Sequence, residues 1–331
     1  MNKLTCYLLL AGIITKITSC QPLPKDHQTA EESSEKVSNL QAKLFYKINA
    51  RLGEGPIWNY LTNQLYWVDI EGKLLHMLDP ATKQDRSITM PTQVGTVVPI
   101  DSVRVVVALV DGAFILNTET EQLSRLAGLD SANLGTRLND GKCDPAGRLW
   151  VGSMHWDASN PIGGLFMLEG DGSSEQKLDS ITVSNGIVWT KDWQTMYYID
   201  SNTSTIQGFD YDITTGAIDN KRTVVEIDSS DGILDGMAID EEGMLWVGLW
   251  DGNAVLRFDP NTGDPLQRVD VPAHNVTACA FGGQNLDSLF ITTARDDMTE
   301  EELEKYPNAG SIFVVVPGVR GVKSDFFHLA E

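Results

Sequence analysis

The sequence predicts an all-β protein, a six-bladed β-propeller with a central metal site, and three observations carry that prediction. Short runs rich in aromatic and β-branched residues recur six times, and a small residue stands at a near-constant distance before each. The residue preceding that small one is a carboxylate or an amide in four of the six copies. A formal net charge of −21 excludes a nucleic-acid binder, because counterion release needs clustered Lys and Arg. A hydrophobic content of 42% and 29 glycines suit a turn-rich globular chain and exclude disorder over most of its length.

Before the first repeat, Met1, Asn2 and Lys3 precede a mainly apolar run from Leu4 to Ile14, which Lys16 stops. The run is too short for a comfortable membrane span and reads as an export signal over 1–20. It resembles a bacterial lipoprotein signal, which implies lipidation of Cys20 as the mature N-terminus. Gln21 lacks the aspartate that marks inner-membrane retention, so the expected location is the outer membrane, facing the periplasm. Membrane contact is expected only through that anchor. Residues 21–42 are rich in Glu, Ser, Gln and Lys and read as a flexible tether, leaving 43–331 for the propeller. Of the remaining cysteines, Cys143 and Cys279 form no metal-binding pattern and are expected to be small buried residues.

The six runs are Leu65–Val68, Val105–Ala108, Leu149–Gly152, Met196–Ile199, Leu245–Gly248 and Leu289–Thr292. Most are followed by a turn and another strand, as in Leu74–Leu78 with Asp79-Pro80-Ala81-Thr82. The small residues Gly55, Gly95, Gly141, Gly186, Gly236 and Ala278 are read as opening the innermost strand of each blade. They stand 40 to 50 residues apart, the arithmetic of a propeller. A short helical turn is expected near Thr299 to Lys305.

If each small residue opens an innermost strand, the residue before it stands at the mouth of the central channel. Those residues are Glu54, Val94, Asp140, Asn185, Asp235 and Thr277, with Asn139 beside Asp140. Carboxylates gathered on one axis repel unless a cation sits among them, and oxygen donors without His or Cys suit a hard divalent ion. Asp and Asn before Gly are also good turn formers, and the pattern alone leaves that explanation open.

Five segments extend the argument: Gly53-Glu54-Gly55-Pro56-Ile57-Trp58, Arg137-Leu138-Asn139-Asp140-Gly141-Lys142, Ser184-Asn185-Gly186, Asp235-Gly236-Met237 and Asn275 to Gly283. In these, the chain resembles the gluconolactonase, regucalcin (senescence marker protein) and luciferin-regenerating family of six-bladed propellers. The resemblance implies one divalent metal, often calcium, held by Glu54, Asn185 and Asp235, with zinc, manganese or magnesium as substitutes. It implies that Arg137 and Asn139 face the substrate, with Asp140 close by. Leu234 stands where the family commonly has proline, and Met154 to Ile162 gives no clear match to a substrate-contacting loop.

A metal with open positions polarises a carbonyl and acidifies bound water, and opening a sugar lactone benefits from both. Asp235 is therefore expected as ligand and base, Arg137 and Asn139 as holders of sugar hydroxyls or the oxyanion, and Asp140 as a supporting group. His155 follows the third run and is a candidate substrate contact; the other histidines are scattered. No G-x-S-x-G, H-E-x-x-H or P-loop is present. A non-catalytic calcium- or ligand-binding propeller, and a metal-dependent esterase or phosphotriesterase using the same site, are the competing expectations. Oligomeric state is not readable.

Overall fold

Six blades make up the computed structural model, which describes residues 38–130, 133 and 135–330; each has four antiparallel strands, laid down in chain order from the axis outward in the first five, and the fifth carries one further edge strand. The expected signal, Cys20 and residues 21–37 of the expected tether lie outside the described residues. The innermost strands are Gly53–Asn59, Val94–Pro99, Thr136–Cys143, Ser184–Trp189, Ile233–Ile239 and Asn275–Gly282. Each packs on the next and the sixth packs on the first, closing a ring.

All six apolar runs lie in the second strands, Gln64–Asp69, Arg104–Leu109, Leu149–His155, Thr195–Asp200, Leu245–Trp250 and Ser288–Ala294. Both faces of a second strand meet neighbouring blades, so its residues are buried almost without a break rather than alternating. The outer strands are largely exposed, as in Ala217–Glu226, and their polar composition follows. Cys143 and Cys279 are free and buried, as expected.

The turns repeat with the blades. Asp79, Asn117, Asp212 and Asp259 each accept, through Oδ1, the backbone N–H two residues on at 2.8 or 2.9 Å. A threonine three residues after each accepts the N–H of the residue two further along. These local bonds satisfy the backbone of the third-to-fourth-strand turn and explain the recurrent Asp/Asn-x-x-Thr spelling. The expected helical turn is Glu300–Lys305, closed by a capping box in which Thr299 and Glu302 satisfy each other's backbone N–H groups.

Both chain ends contribute to closure. Lys43–Tyr46 pairs antiparallel with Ile312–Val315 as the outer strand of the sixth blade. Ser38–Gln41, within the segment read as tether, is a strand paired in parallel with Pro265–Asp270 at the edge of the fifth blade. Folded chain therefore begins earlier than Lys43, because an edge strand needs backbone partners more than buried side chains. The C-terminal segment crosses the opposite end of the axis from the innermost strands' N-termini. Val322 N–H donates to the Ile239 carbonyl, Phe327 N–H to Pro99 and His328 N–H to Gly147. Phe326 stacks on Tyr60 with centroids 4.3 Å apart, and Phe327 joins the apolar core.

Candidate functional site

The repeated small residues lie inside the innermost strands, not at their openings, and mark a β-bulge in every blade. Pairing with the second strand shifts register between Glu54 and Ile57, Val94 and Thr96, Leu138 and Gly141, Asn185 and Ile187, Leu234 and Met237, and Val276 and Ala278. A bulge bends the strand and re-aims the side chains beside it. Glycine is required where bulges from adjacent blades meet: a Cβ on Gly95 would stand 2.5 Å from the Asn139 carbonyl, and one on Gly236 would stand 2.3 Å from the Ala278 Cβ. The small residue thus admits the next blade, and its predecessor faces the axis.

The bulges bring Glu54, Arg137, Asn139, Asn185 and Asp235 to one cleft of about 480 Å³ at the N-terminal ends of the innermost strands. All five are buried. Their order is set by one hydrogen-bond chain. Arg137 Nη1 donates to Asn139 Oδ1 at 2.6 Å and Asn139 Nδ2 donates to Asn185 Oδ1 at 3.1 Å and to the Ser184 carbonyl at 2.8 Å. Asn185 Nδ2 in turn donates to Ser201 Oγ at 2.8 Å. Asn139 therefore spends its amide on holding Arg137 and Asn185 in place.

Glu54 Oε2 accepts the Gly55 N–H at 2.9 Å, whereas buried Asp235 Oδ1 has no hydrogen-bond partner. Burial, with the Asp140 charge added, pushes the Glu54 carboxyl up to about 8. Burial followed by repulsion from Glu54 and Asp140 pushes Asp235 well above the usual carboxylate range. Burial holds the Arg137 guanidinium below its ordinary value. An unpartnered carboxylate oxygen beside a second carboxylate and an amide oxygen fits a hard divalent cation, the donor set being all oxygen. Among the described residues no group of three or more His, Cys, Asp or Glu is arranged to hold a metal; Glu54, Asn185 and Asp235 contain only two of those types.

Asp140 stands one layer further along the axis. It lines a small space together with Lys142, and its Oδ1 accepts the Gly141 N–H at 2.8 Å. The buried Lys142 ammonium donates to the Met237 carbonyl. Two blades give the cleft no ligand: Val94 is apolar and fully buried, and Thr277 donates to the Gly53 carbonyl at 2.6 Å. His155 is not among the residues lining the cleft; its Nδ1 bonds Asp157.

The neighbouring Trp156, Asp157 and Ala158 do line the cleft, as do Ser201, Glu71 and Asp296. Sequence reasoning missed these because they follow second strands, where the blades share no pattern. Ser201 had one available signal: it occupies the position that Ile70 and Val110 fill after the first two second strands.

Known proteins of similar sequence share this fold. A family model described as SMP-30/Gluconolactonase/LRE-like region matches residues 52–295. The chain belongs to this family. Among its similar relatives, lactonase YvrE of Bacillus subtilis (strain 168) is 38% identical over 274 residues, covering 83% of this chain and 94% of its own. Human regucalcin is 37% identical over 292 residues, covering 86% of this chain and 98% of its own. A solved structure described as a calcium-binding protein, regucalcin from Agrobacterium tumefaciens str. C58, superposes with a TM-score of 0.82 at 27% identity, covering 89% of this chain and 99% of that one. The family match spans all six innermost strands and every residue lining the cleft except Asp296 and Asp297.

Proposed function

We propose that this chain opens sugar lactones at the cleft, with a divalent cation held by Glu54, Asn185 and Asp235 and calcium as the first choice of ion. The observation that carries the reading is the unpartnered, buried Asp235 Oδ1 set against Glu54 and the Arg137–Asn139–Asn185 chain. Relatives named as lactonases support the reaction class. When bound, the ion supplies Lewis-acid polarisation of the lactone carbonyl and lowers the pKa of water.

The chain's own groups do the rest. Asp235, a carboxylate at the cleft with one oxygen free of any hydrogen-bond partner, takes the proton of the attacking water as general base. The ring C–O bond then breaks, the leaving oxygen is protonated, and the product is a hydroxy acid. Arg137 carries the positive charge that steadies the developing oxyanion, while Asn139 fixes its direction. Burial makes that donor stronger than it would be in water.

A panel of aldonolactones, assayed before and after chelation, tests the reading. Hydrolysis that stops on chelation and returns with calcium, manganese or zinc supports it; no hydrolysis under any of these conditions rejects it. Export and anchoring through Cys20 to the outer membrane form a separate proposal, supported by the leader's pattern. A Cys20→Ser chain that still takes up a labelled fatty acid would contradict it.

A further inference from the structure

The cleft carries more negative charge than its chemistry needs. Glu54, Glu71, Asp157, Asp235, Asp296 and Asp297 line it, against a single guanidinium, Arg137. Glu71 and Asp296 act on Arg137 across the cleft as strongly as to stand with Glu54 and Asp235 among its electrostatic partners. A divalent ion added to Arg137 would neutralise only about half of six carboxylates. Arg51, with a largely exposed side chain, donates to Asp296 Oδ1 at 3.0 Å and stands 3.8 Å from Glu71, and counting its charge in full still leaves about two of the six carboxylates unmatched.

These acids are held in place. The Arg295 and Asp296 N–H groups both donate to the Arg51 carbonyl at 2.9 Å, fixing the join between the sixth and first blades. Facing them across the ring, on the third blade, is Trp156, a residue 43% exposed that lines the cleft. Its loop is tied to the fourth blade by Asn202 Nδ2, which donates to the Ala158 carbonyl at 3.2 Å. One wall is thus charged and the opposite wall carries an indole, a ring type that stacks on the C–H side of a sugar ring.

We propose that Glu71, Asp296 and Asp297 form a charge filter that admits neutral lactones, rejects anionic ones and expels the hydroxy-acid product, while Trp156 is the specificity-determining shelf on which the neutral ring lies. The inference rests on the lactone-opening reading of the same cleft. Hydrolysis converts an uncharged ester into a carboxylate, so the same repulsion that passes the substrate drives the product out. Like charge is screened by salt, which gives the filter a signature that packing alone would not show.

The test uses the full chain with its metal, assayed on glucono-1,5-lactone and on the same lactone carrying a 6-phosphate. At low salt, kcat/KM for the neutral lactone should exceed that for the phosphorylated one by about tenfold or more, and the gap should narrow as salt rises. Glu71→Gln with Asp297→Asn should narrow it at low salt and tighten inhibition by gluconate. Trp156→Ala should raise KM for the neutral lactone about tenfold, with Trp156→Phe restoring most of it. Equal turnover of both lactones at low salt, or a ratio indifferent to salt, overturns the filter; an unchanged KM in Trp156→Ala overturns the shelf. If neither lactone is hydrolysed, the reaction reading fails, and calorimetry with a neutral sugar lactam and its phosphate decides the filter. Tighter binding of the neutral lactam supports it, and equal or tighter binding of the phosphate refutes it.

Discussion

Asp235, Glu54 and Asn185 owe their meeting to one local device, a bulge beside a small residue in each innermost strand. The consequence is a proton-linked site. With Glu54 pushed up to about 8 and Asp235 held well above the usual carboxylate range by burial and mutual repulsion, the cation-free protein holds protons that a cation bound at the proposed site would displace. Cation affinity should therefore rise with pH through neutrality and level off above about 8 for Glu54, and calcium binding in weak buffer near pH 7 should release protons. A pH-independent affinity with no proton release would contradict this. The sign for stability is opposite: between the ordinary carboxylate value and about 8, the folded cation-free state holds a proton that the unfolded state has lost. Its stability should fall as pH rises across that window, and the fall should vanish with calcium bound.

Ser201 acts through Asn185, whose Nδ2 it receives at 2.8 Å. Ser201→Ala should weaken calcium binding about tenfold, with Ser201→Thr recovering much of the loss, as read by calorimetry. Asn185 itself was legible because it precedes a glycine at the repeat spacing. Ser201, Trp156 and Asp296 were not, since they sit on connections where each blade differs and only three-dimensional proximity gives them a role.

At the level of elements, the join from first to second strand is fixed in two blades by one buried aspartate each. Asp144 accepts the Arg148 Nε at 2.7 Å, the Trp150 Nε1 at 2.9 Å, the Tyr211 hydroxyl at 2.8 Å, and two backbone N–H groups at 3.0 Å. Asp240 repeats the plan with Trp246 Nε1 at 2.9 Å and Arg257 Nε at 2.8 Å. Removing Asp144 leaves the Arg148 Nε–H and the Trp150 indole N–H without their acceptor in a buried place, while Arg148 Nη2 keeps the Tyr211 hydroxyl and the Ile213 carbonyl. Asp144→Ala should cost about 3–5 kcal/mol of stability, measured by denaturant titration. A loss under about 1 kcal/mol would show that water replaces the carboxylate.

The second strands were the most legible elements, because burial on both faces writes them as unbroken apolar runs such as Leu245–Gly248. The innermost strands were placed correctly but their starts were not, since Gly141 lies five residues inside Thr136–Cys143 while Gly95 lies one residue inside Val94–Pro99. The glycine marks the bulge, and strand length beyond it is set by how far each loop rises over the cleft.

For the whole molecule, the period of the repeat announced six blades but not how the ring closes. Lys43–Tyr46, taken from the other end of the chain, completes the sixth blade, and Ser38–Gln41 adds to the fifth. These segments are short and largely exposed, with no apolar run to signal them. Deleting residues through Tyr46 should leave the edge of Ile312–Val315 unpaired, lower the Tm by several degrees and open the ring to proteolysis near that strand. An unchanged Tm would show that the C-terminal segment alone, tied at Ile239, Pro99 and Gly147, is enough for closure.

The ring positions the residues on which the proposed cation-dependent lactone opening at Asp235 and its neighbours depends. The most direct measurement is the initial rate of glucono-1,5-lactone opening by chelator-stripped protein as calcium is titrated back, in the wild type and in Asp235→Ala. Saturable recovery is expected in the wild type and none in the variant, whose circular dichroism and Tm stay close to wild type. A stripped wild type at full rate, or a fully active Asp235→Ala, would contradict it.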